Sequence, residues 1–285
     1  MQRLELADGR SLAWREYGAP DGRPVFFFHG GNDSRLEAAI LDQPAAARGV
    51  RLIAPDRPGY GRSDFLEQRE LVDWPGDVAA LADHLGLGGF GVVGHSGGGP
   101  HALVTAALLG DRVESVTVVA GAAPKQAGGR GMAFPFRLNR FLAISLPGTL
   151  TGFMKNHRSS LEKPDKYLKQ WGWASPADGR LFATRPDLAR HVVAEQLESY
   201  RQGVDAAVLE NKMYYRDWGF SLAEVKAPVS LVYGADDKMC PTAWGHFLHA
   251  RLPQSTLELV DGAGHISVLV DGVDSVFAPE PVAVR

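Results

Sequence analysis

Gly94-His95-Ser96-Gly97-Gly98 is the stretch of this chain best equipped for chemistry. It fits G-x-S-x-G, the pattern in which a serine stands on a sharp turn between a strand and a helix. The surroundings agree. Phe90 to Gly94 reads as a buried strand, and a helical pattern runs on from the serine through Leu109. The glycines have a steric reason: the turn strains the serine backbone and brings other chain close to it. A glycine-rich turn with a solvated serine is the bland alternative. In a chain with 33 glycines the pentapeptide alone does not exclude that, so the strand–turn–helix context carries the weight.

A serine hydroxyl needs a base to attack at neutral pH. Of nine histidines, His265 is best placed. It closes Asp261-Gly262-Ala263-Gly264-His265, just past the strand pattern Thr256 to Val260, where a loop can reach over the carboxyl edge of a sheet. His29 also follows a strand and reads as a brace for its loop. His95 adjoins the serine and is expected to point away from it, and His101 to be packed in the following helix. His84, His157, His191, His246 and His249 lie in helical patterns and default to surface or core. A carboxylate must orient the base. Asp236 and Asp237 follow the strand pattern Val229 to Tyr233, and either can serve. Backbone N–H groups of Gly31 and Gly97 are the candidate oxyanion donors, one from the loop after Phe28 and one from the residue after the serine.

These residues must be held by strands and helices in alternation. Leu12 to Tyr17, Val25 to Phe28, Arg51 to Ala54, Phe90 to Gly94 and Val113 to Val119 read as strands, and the run Val25-Phe26-Phe27-Phe28 suits one buried on both faces. Helical spacing appears from Arg35 to Arg48 and from Trp74 to Leu85, the latter with Asp73 as N-cap and Gly86 as stop. Such alternation predicts an α/β fold, a parallel sheet with helices on both faces. The rhythm breaks after Ala120. Residues 124–222 show helical patterns punctuated by Pro147, Pro164, Pro176 and Pro186 and hold no buried-strand run, so they read as a helical insertion. Strands resume at Val229 and Thr256, with a helix near Thr242 to Leu252 between them.

Composition narrows the field. The chain has 285 residues, a formal net charge of −3 and 45% apolar residues, which gives no global pull toward nucleic acid or an anionic membrane. No apolar stretch approaches membrane-spanning length. The N-terminus lacks a secretory pattern and Cys240 is the one cysteine, so a cytoplasmic location is expected. No metal-ligand spacing, phosphate loop or dinucleotide fingerprint appears, and Gly97-Gly98-Gly99 belongs to the serine turn. No cofactor is expected.

Taken together, the chain resembles the α/β-hydrolase superfamily. The matching segments are His29-Gly30-Gly31, Asp56 to Ser63, Gly94 to Pro100, Gly234-Ala235-Asp236-Asp237 with Pro241, and Gly262-Ala263-Gly264-His265. They occur in family order over about residues 1–123 and 223–275, with the Ser…Asp…His sequence of that fold. The resemblance implies an eight-stranded, mostly parallel sheet with a helical cap after the sixth strand, hence a core of 1–123 and 223–285 and a cap of 124–222. It selects Asp237 over Asp236, three residues after the glycine and shortly before a proline. It disfavours epoxide hydrolase and haloalkane dehalogenase chemistry, where relatives carry an aspartate in place of Ser96. In the loop after Phe28, Asn32 stands where relatives commonly have proline, which places an amide toward the substrate. The segment Asp56 to Ser63, with Asp64, is expected to brace the fold, and the helix after His265 to be brief before Pro279 and Pro281.

The reaction expected is hydrolysis of a carboxylic ester or lactone through an acyl-enzyme. The same triad on a C–C bond or an N-terminal prolyl peptide is the alternative; the cap acids Glu162, Asp165, Asp178, Asp187, Glu195, Glu198, Asp205, Glu210 and Asp217 keep the second of these open. A non-hydrolytic ligand receptor is the alternative of another class. Cap aromatics, chiefly Phe134, Phe136, Trp171 and Trp173, with Asn32, are the candidate substrate contacts and point to a small molecule with an apolar or aromatic portion.

Overall fold

Phe26, Phe27 and Phe28 are all fully buried, as a strand covered on both faces requires. Their neighbours explain the cover: Phe26 meets Phe90 edge-on at 4.8 Å between ring centroids, and Phe28 meets Trp74 at 5.2 Å. The computed structural model describes residues 2–277. Its eight strands form one sheet: β1 (Gln2–Glu5), β2 (Ser11–Gly18), β3 (Arg23–Phe28), β4 (Val50–Pro55), β5 (Phe90–His95), β6 (Val113–Val119), β7 (Val229–Gly234) and β8 (Ser255–Val260). Their spatial order is β1-β2-β4-β3-β5-β6-β7-β8. β1 pairs antiparallel with β2, and β2 with β4; every other pairing is parallel. The α/β fold expected from the alternation is therefore present, and the carboxyl ends of β3, β5, β7 and β8 lead into the loops that matter below.

Helices α1 (Asp42–Ala47), α2 (Trp74–His84) and α3 (Gly98–Leu109) lie between the early strands. Three details depart from the sequence reading. β1 gave too short and polar a pattern to be seen. The stretch Arg35 to Arg48 is a 3-10 turn, Glu37–Leu41, followed by the short α1. Asp73 makes no side-chain cap to α2; its carboxylate instead accepts the Glu70 N–H in a box that closes the preceding 3-10 turn.

Between β6 and β7 the chain forms helices and turns and no strand: α4 (Phe134–Ser145), α5 (Leu150–Leu161), α6 (Pro164–Ala174), α7 (Pro176–Thr184), α8 (Pro186–Ser199) and α9 (Asp205–Tyr214). Pro164, Pro176 and Pro186 each take the first helical position, where the missing N–H has no partner to lose. Leu150, Met154, Leu161, Val193 and Tyr200 pack together with Tyr60 from the loop after β4. Polar anchors add to this. Glu210 of α9 is fully buried and accepts from Arg57 Nε at 2.7 Å and Nη2 at 2.8 Å, from Tyr60 and Tyr214 hydroxyls, and from Arg69. Burial alone would raise its pKa; Arg57 and Arg69 overcome that and hold it well below the usual carboxylate range. Glu195 of α8 accepts the Ser34 N–H at 3.0 Å.

After β7 come α10 (Thr242–His249), β8, and the brief helices α11 (Ser267–Asp271) and α12 (Val273–Val276). Pro279 and Pro281 lie outside the described residues. No helix of the described residues is long and apolar enough to cross a membrane.

Candidate active site

Ser96 sits between β5 and α3 with φ at +51°, the left-handed region that costs a non-glycine residue energy. Its N–H donates to Val119 at 2.9 Å, and its carbonyl accepts from Gly99 and Ala122. These bonds hold the turn in place. The glycines are needed for space: a Cβ on Gly98 would collide with the Phe28 carbonyl, and one on Gly94 with the Gly98 carbonyl.

His265 reaches Ser96 from the loop after β8. Its Nε2 lies 2.9 Å from Ser96 Oγ and its Nδ1 lies 2.8 Å from Asp237 Oδ2. Asp237 is 2% exposed, and its Oδ1 accepts the N–H groups of Met239 and Cys240. Both of its oxygens therefore act as acceptors, so Nδ1 carries the proton and donates. Nε2 then has a free lone pair for the serine hydroxyl. Asp236, the alternative carboxylate, is half exposed and 3.9 Å from Arg180.

The His265 backbone is gripped on both sides. Asp178 of α7, fully buried, accepts the His265 and Ile266 N–H groups at 3.0 Å each and that of Ser267 at 2.8 Å. Its Oδ2 also accepts from Ser175 at 2.6 Å and Trp171 Nε1 at 3.2 Å. On the other side, His95 Nε2 donates to the His265 carbonyl at 3.1 Å while its Nδ1 donates to Glu37 at 2.5 Å. Burial would lower the His95 pKa, but Glu37 and the further charge of Asp33 raise it to about 9. Two acceptors on two ring nitrogens fit the imidazolium. Donor atoms of Asp33, Glu37 and His95 lie within 4.8 Å of one another. With both His95 nitrogens engaged, that cluster has no imidazole lone pair left for a metal.

Gly31 and Gly97 lie side by side: a Cβ on Gly97 would be 3.0 Å from Gly31 Cα and would strike the Tyr214 hydroxyl. Neither amide N–H has a backbone acceptor among the described residues. A cavity of about 520 Å³ opens above Ser96, Gly31, Gly97 and His265. Asn32, Phe136, Trp171 and Trp173 line it, Trp173 at the exposed rim. Phe134 does not. It stands 66% exposed outside the cavity, because two residues along a helix turn it away from the face that carries Phe136. The sequence reading missed His157, which it left to surface or core and which lines the cavity. It also missed Asp178 and Glu37 as supports. Their bonds to the His265 loop and to His95 join residues far apart in sequence, and no local pattern signals them.

The sequence profile described as alpha/beta hydrolase fold matches residues 23–272. The chain belongs to the α/β-hydrolase family. As a member it is a hydrolase-type enzyme. It is 28% identical over 274 residues to the dihydrolipoyllysine-residue acetyltransferase component of the acetoin cleaving system of Pseudomonas putida, covering 93% of this chain and 64% of that longer protein. It is 31% identical over 228 residues to the 2-hydroxy-6-oxononadienedioate/2-hydroxy-6-oxononatrienedioate hydrolase 2 of Pseudomonas putida, covering 78% of this chain and 73% of the relative. Among solved structures, the enol-lactonase from Burkholderia xenovorans LB400 superposes with a TM-score of 0.71 at 17% identity, over 96% of each chain, a likeness of fold.

Proposed function

We propose that this α/β-hydrolase cleaves a carboxylic ester or lactone through an acyl-enzyme on Ser96. The observation that carries this reading is His265 bridging Ser96 at 2.9 Å and Asp237 at 2.8 Å in the tautomer a general base needs. Ser96 Oγ attacks the carbonyl carbon as its proton passes to His265 Nε2. Asp237 stabilises the imidazolium that results. The Gly31 and Gly97 amides receive the charge that develops on the carbonyl oxygen. The imidazolium returns its proton to the departing alkoxide. A water then gives a proton to His265 as it attacks the acyl carbon, and His265 passes that proton to Ser96 Oγ as the carboxylic acid leaves.

The family membership supports hydrolysis, and a relative named as a pimeloyl-[acyl-carrier protein] methyl ester esterase of Neisseria meningitidis, 28% identical over 255 residues, supports the ester bond class. N-terminal prolyl peptides fit less well. Glu195, Glu198 and Glu210 are each engaged by groups outside the helical stretch, namely Ser34, Arg35 with Arg62, and Arg57 with Arg69, and so are not placed to take a substrate amine. The test is Ser96→Ala with p-nitrophenyl hexanoate, alongside fluorophosphonate labelling of the native enzyme. Turnover should vanish in the variant, and the label should map to Ser96. Activity surviving in the alanine variant, or a label elsewhere, refutes the assignment.

A further inference from the structure

One wall of the cavity is polar and continuous. It starts at Asn32 and Asp33 beside the serine turn, where Asp33 Oδ1 accepts from Gln196 Nε2 at 3.0 Å. Tyr167 donates its hydroxyl to Gln196 Oε1 at 2.7 Å. The Tyr167 ring meets His157 edge-on at 5.7 Å. All five side chains line the cavity.

The protonation of this wall follows from its partners. The Tyr200 hydroxyl has two acceptors in reach, His157 Nδ1 at 3.0 Å and the Met154 thioether at 3.8 Å. The hydroxyl can donate to either, so Tyr200 engages Nδ1 in both imidazole tautomers and leaves Nε2 with no hydrogen-bond partner among the described residues. Burial lowers the His157 pKa to about 4, so the ring is neutral at pH 7. Asn32 adds an uncharged amide to the lining. Asp33 and Glu195 are hydrogen-bonded to each other and buried, and both are raised in pKa, first by desolvation. Glu37 lies beside them. Among the described residues lining the cavity there is neither lysine nor arginine.

We propose that this arm binds an uncharged, oxygen-bearing part of the substrate, such as a hydroxyl or an ester carbonyl, and rejects a carboxylate. The neutral His157 imidazole and the Asn32 amide can each hydrogen-bond without carrying charge, which suits a neutral group. A carboxylate would lose its water there, find no lysine or arginine in the lining, and face the Asp33–Glu195 acid pair, while the His95 charge is already engaged by Glu37. This inference deepens the ester hydrolase reading and rests on it.

Three p-nitrophenyl acyl donors of matched length test it at pH 7: hexanoate, methyl adipate and the adipate half-ester. The methyl adipate ester should be cleaved at least as efficiently as hexanoate, and the anionic half-ester about 100-fold less efficiently. His157→Phe should lower the ratio of methyl adipate to hexanoate in kcat/KM by about tenfold, the worth of one buried hydrogen bond. His157→Arg should raise the half-ester relative to hexanoate. A native enzyme that cleaves the half-ester within tenfold of methyl adipate overturns the inference. Failure to cleave any of the three would instead sink the hydrolase reading. The arm would still be read by calorimetry on the Ser96→Ala variant, where dimethyl adipate must bind more tightly than the monomethyl adipate anion; equal binding overturns the proposal independently of turnover.

Discussion

Replacing Asp178 by asparagine should disarm His265 without touching it. The carboxylate takes five donors: the Ile266 and Ser267 N–H groups on Oδ1, and the His265 N–H, the Ser175 hydroxyl and the Trp171 indole on Oδ2. An asparagine has one acceptor oxygen. Set toward Ile266 and Ser267, it points its NH₂ at the His265 and Trp171 N–H groups. Flipped, it points the NH₂ at Ile266 and Ser267. Either way two buried N–H groups lose their acceptor. At about 1–3 kcal/mol each, the expected loss of unfolding free energy is roughly 2–6 kcal/mol. The His265 loop should also drift, and a displacement of about 1 Å at the base costs on the order of 100-fold in kcat. Urea denaturation gives the first quantity, and ester hydrolysis at saturating substrate gives the second. A variant within about 0.5 kcal/mol of the native protein and with kcat unchanged would refute the account of how the loop is held.

Other variants probe separate parts of the site. Glu37→Gln removes the larger of the two acidic influences, Glu37 and Asp33, that lift His95 from 6.5 to about 9. A raised histidine stabilises the fold fully below pH 6.5 and loses that contribution as pH climbs through 9. The stability gap between native and variant protein should therefore be about 3 kcal/mol near pH 6 and close by pH 10, read by urea titrations along the pH series. Gly97→Ala drives a Cβ into the Tyr214 hydroxyl beside the proposed oxyanion amides, so kcat should fall about 100-fold or more. Glu210→Gln leaves the buried Arg57 and Arg69 without a counter-charge, which should cost roughly 3–5 kcal/mol in chemical denaturation. Phe134→Ala should change neither stability by more than about 0.5 kcal/mol nor kcat/KM measurably, because the ring is exposed and outside the cavity.

The parts legible in the sequence are those whose residue type is fixed by local geometry or by chemistry. Ser96 announced itself because its turn tolerates little but glycine on either side. His265 and the pair Asp236 and Asp237 stood out because they follow strand patterns, at the sheet edge where loops converge; the resemblance to the family then selected Asp237. The run Val25 to Phe28 declared itself through burial on both faces, and Val113 to Val119 through its recurring valines. What stayed hidden depends on partners chosen by tertiary packing. Asp178 lies 87 residues before His265, and Glu37 lies 58 before His95. An acidic residue on an amphipathic helix looks the same whether it faces water or a buried loop. Phe134 and Phe136 failed to separate for a related reason: composition counts aromatics, while position around the helix decides which one faces the cavity.

Three carboxylates from the helical stretch, Asp178, Glu195 and Glu210, dock on three separate points: the His265 loop, Ser34 and the Arg57–Arg69 pair. Lifting α7, α8 and α9 as one hinged flap would strand all three at once. With those anchors in place, the exposed part of the cavity lining, Asn156, Gln170 and the outward-facing Trp173, is where a guest would enter. Trimming that tryptophan should admit bulkier guests while every anchor stays fastened.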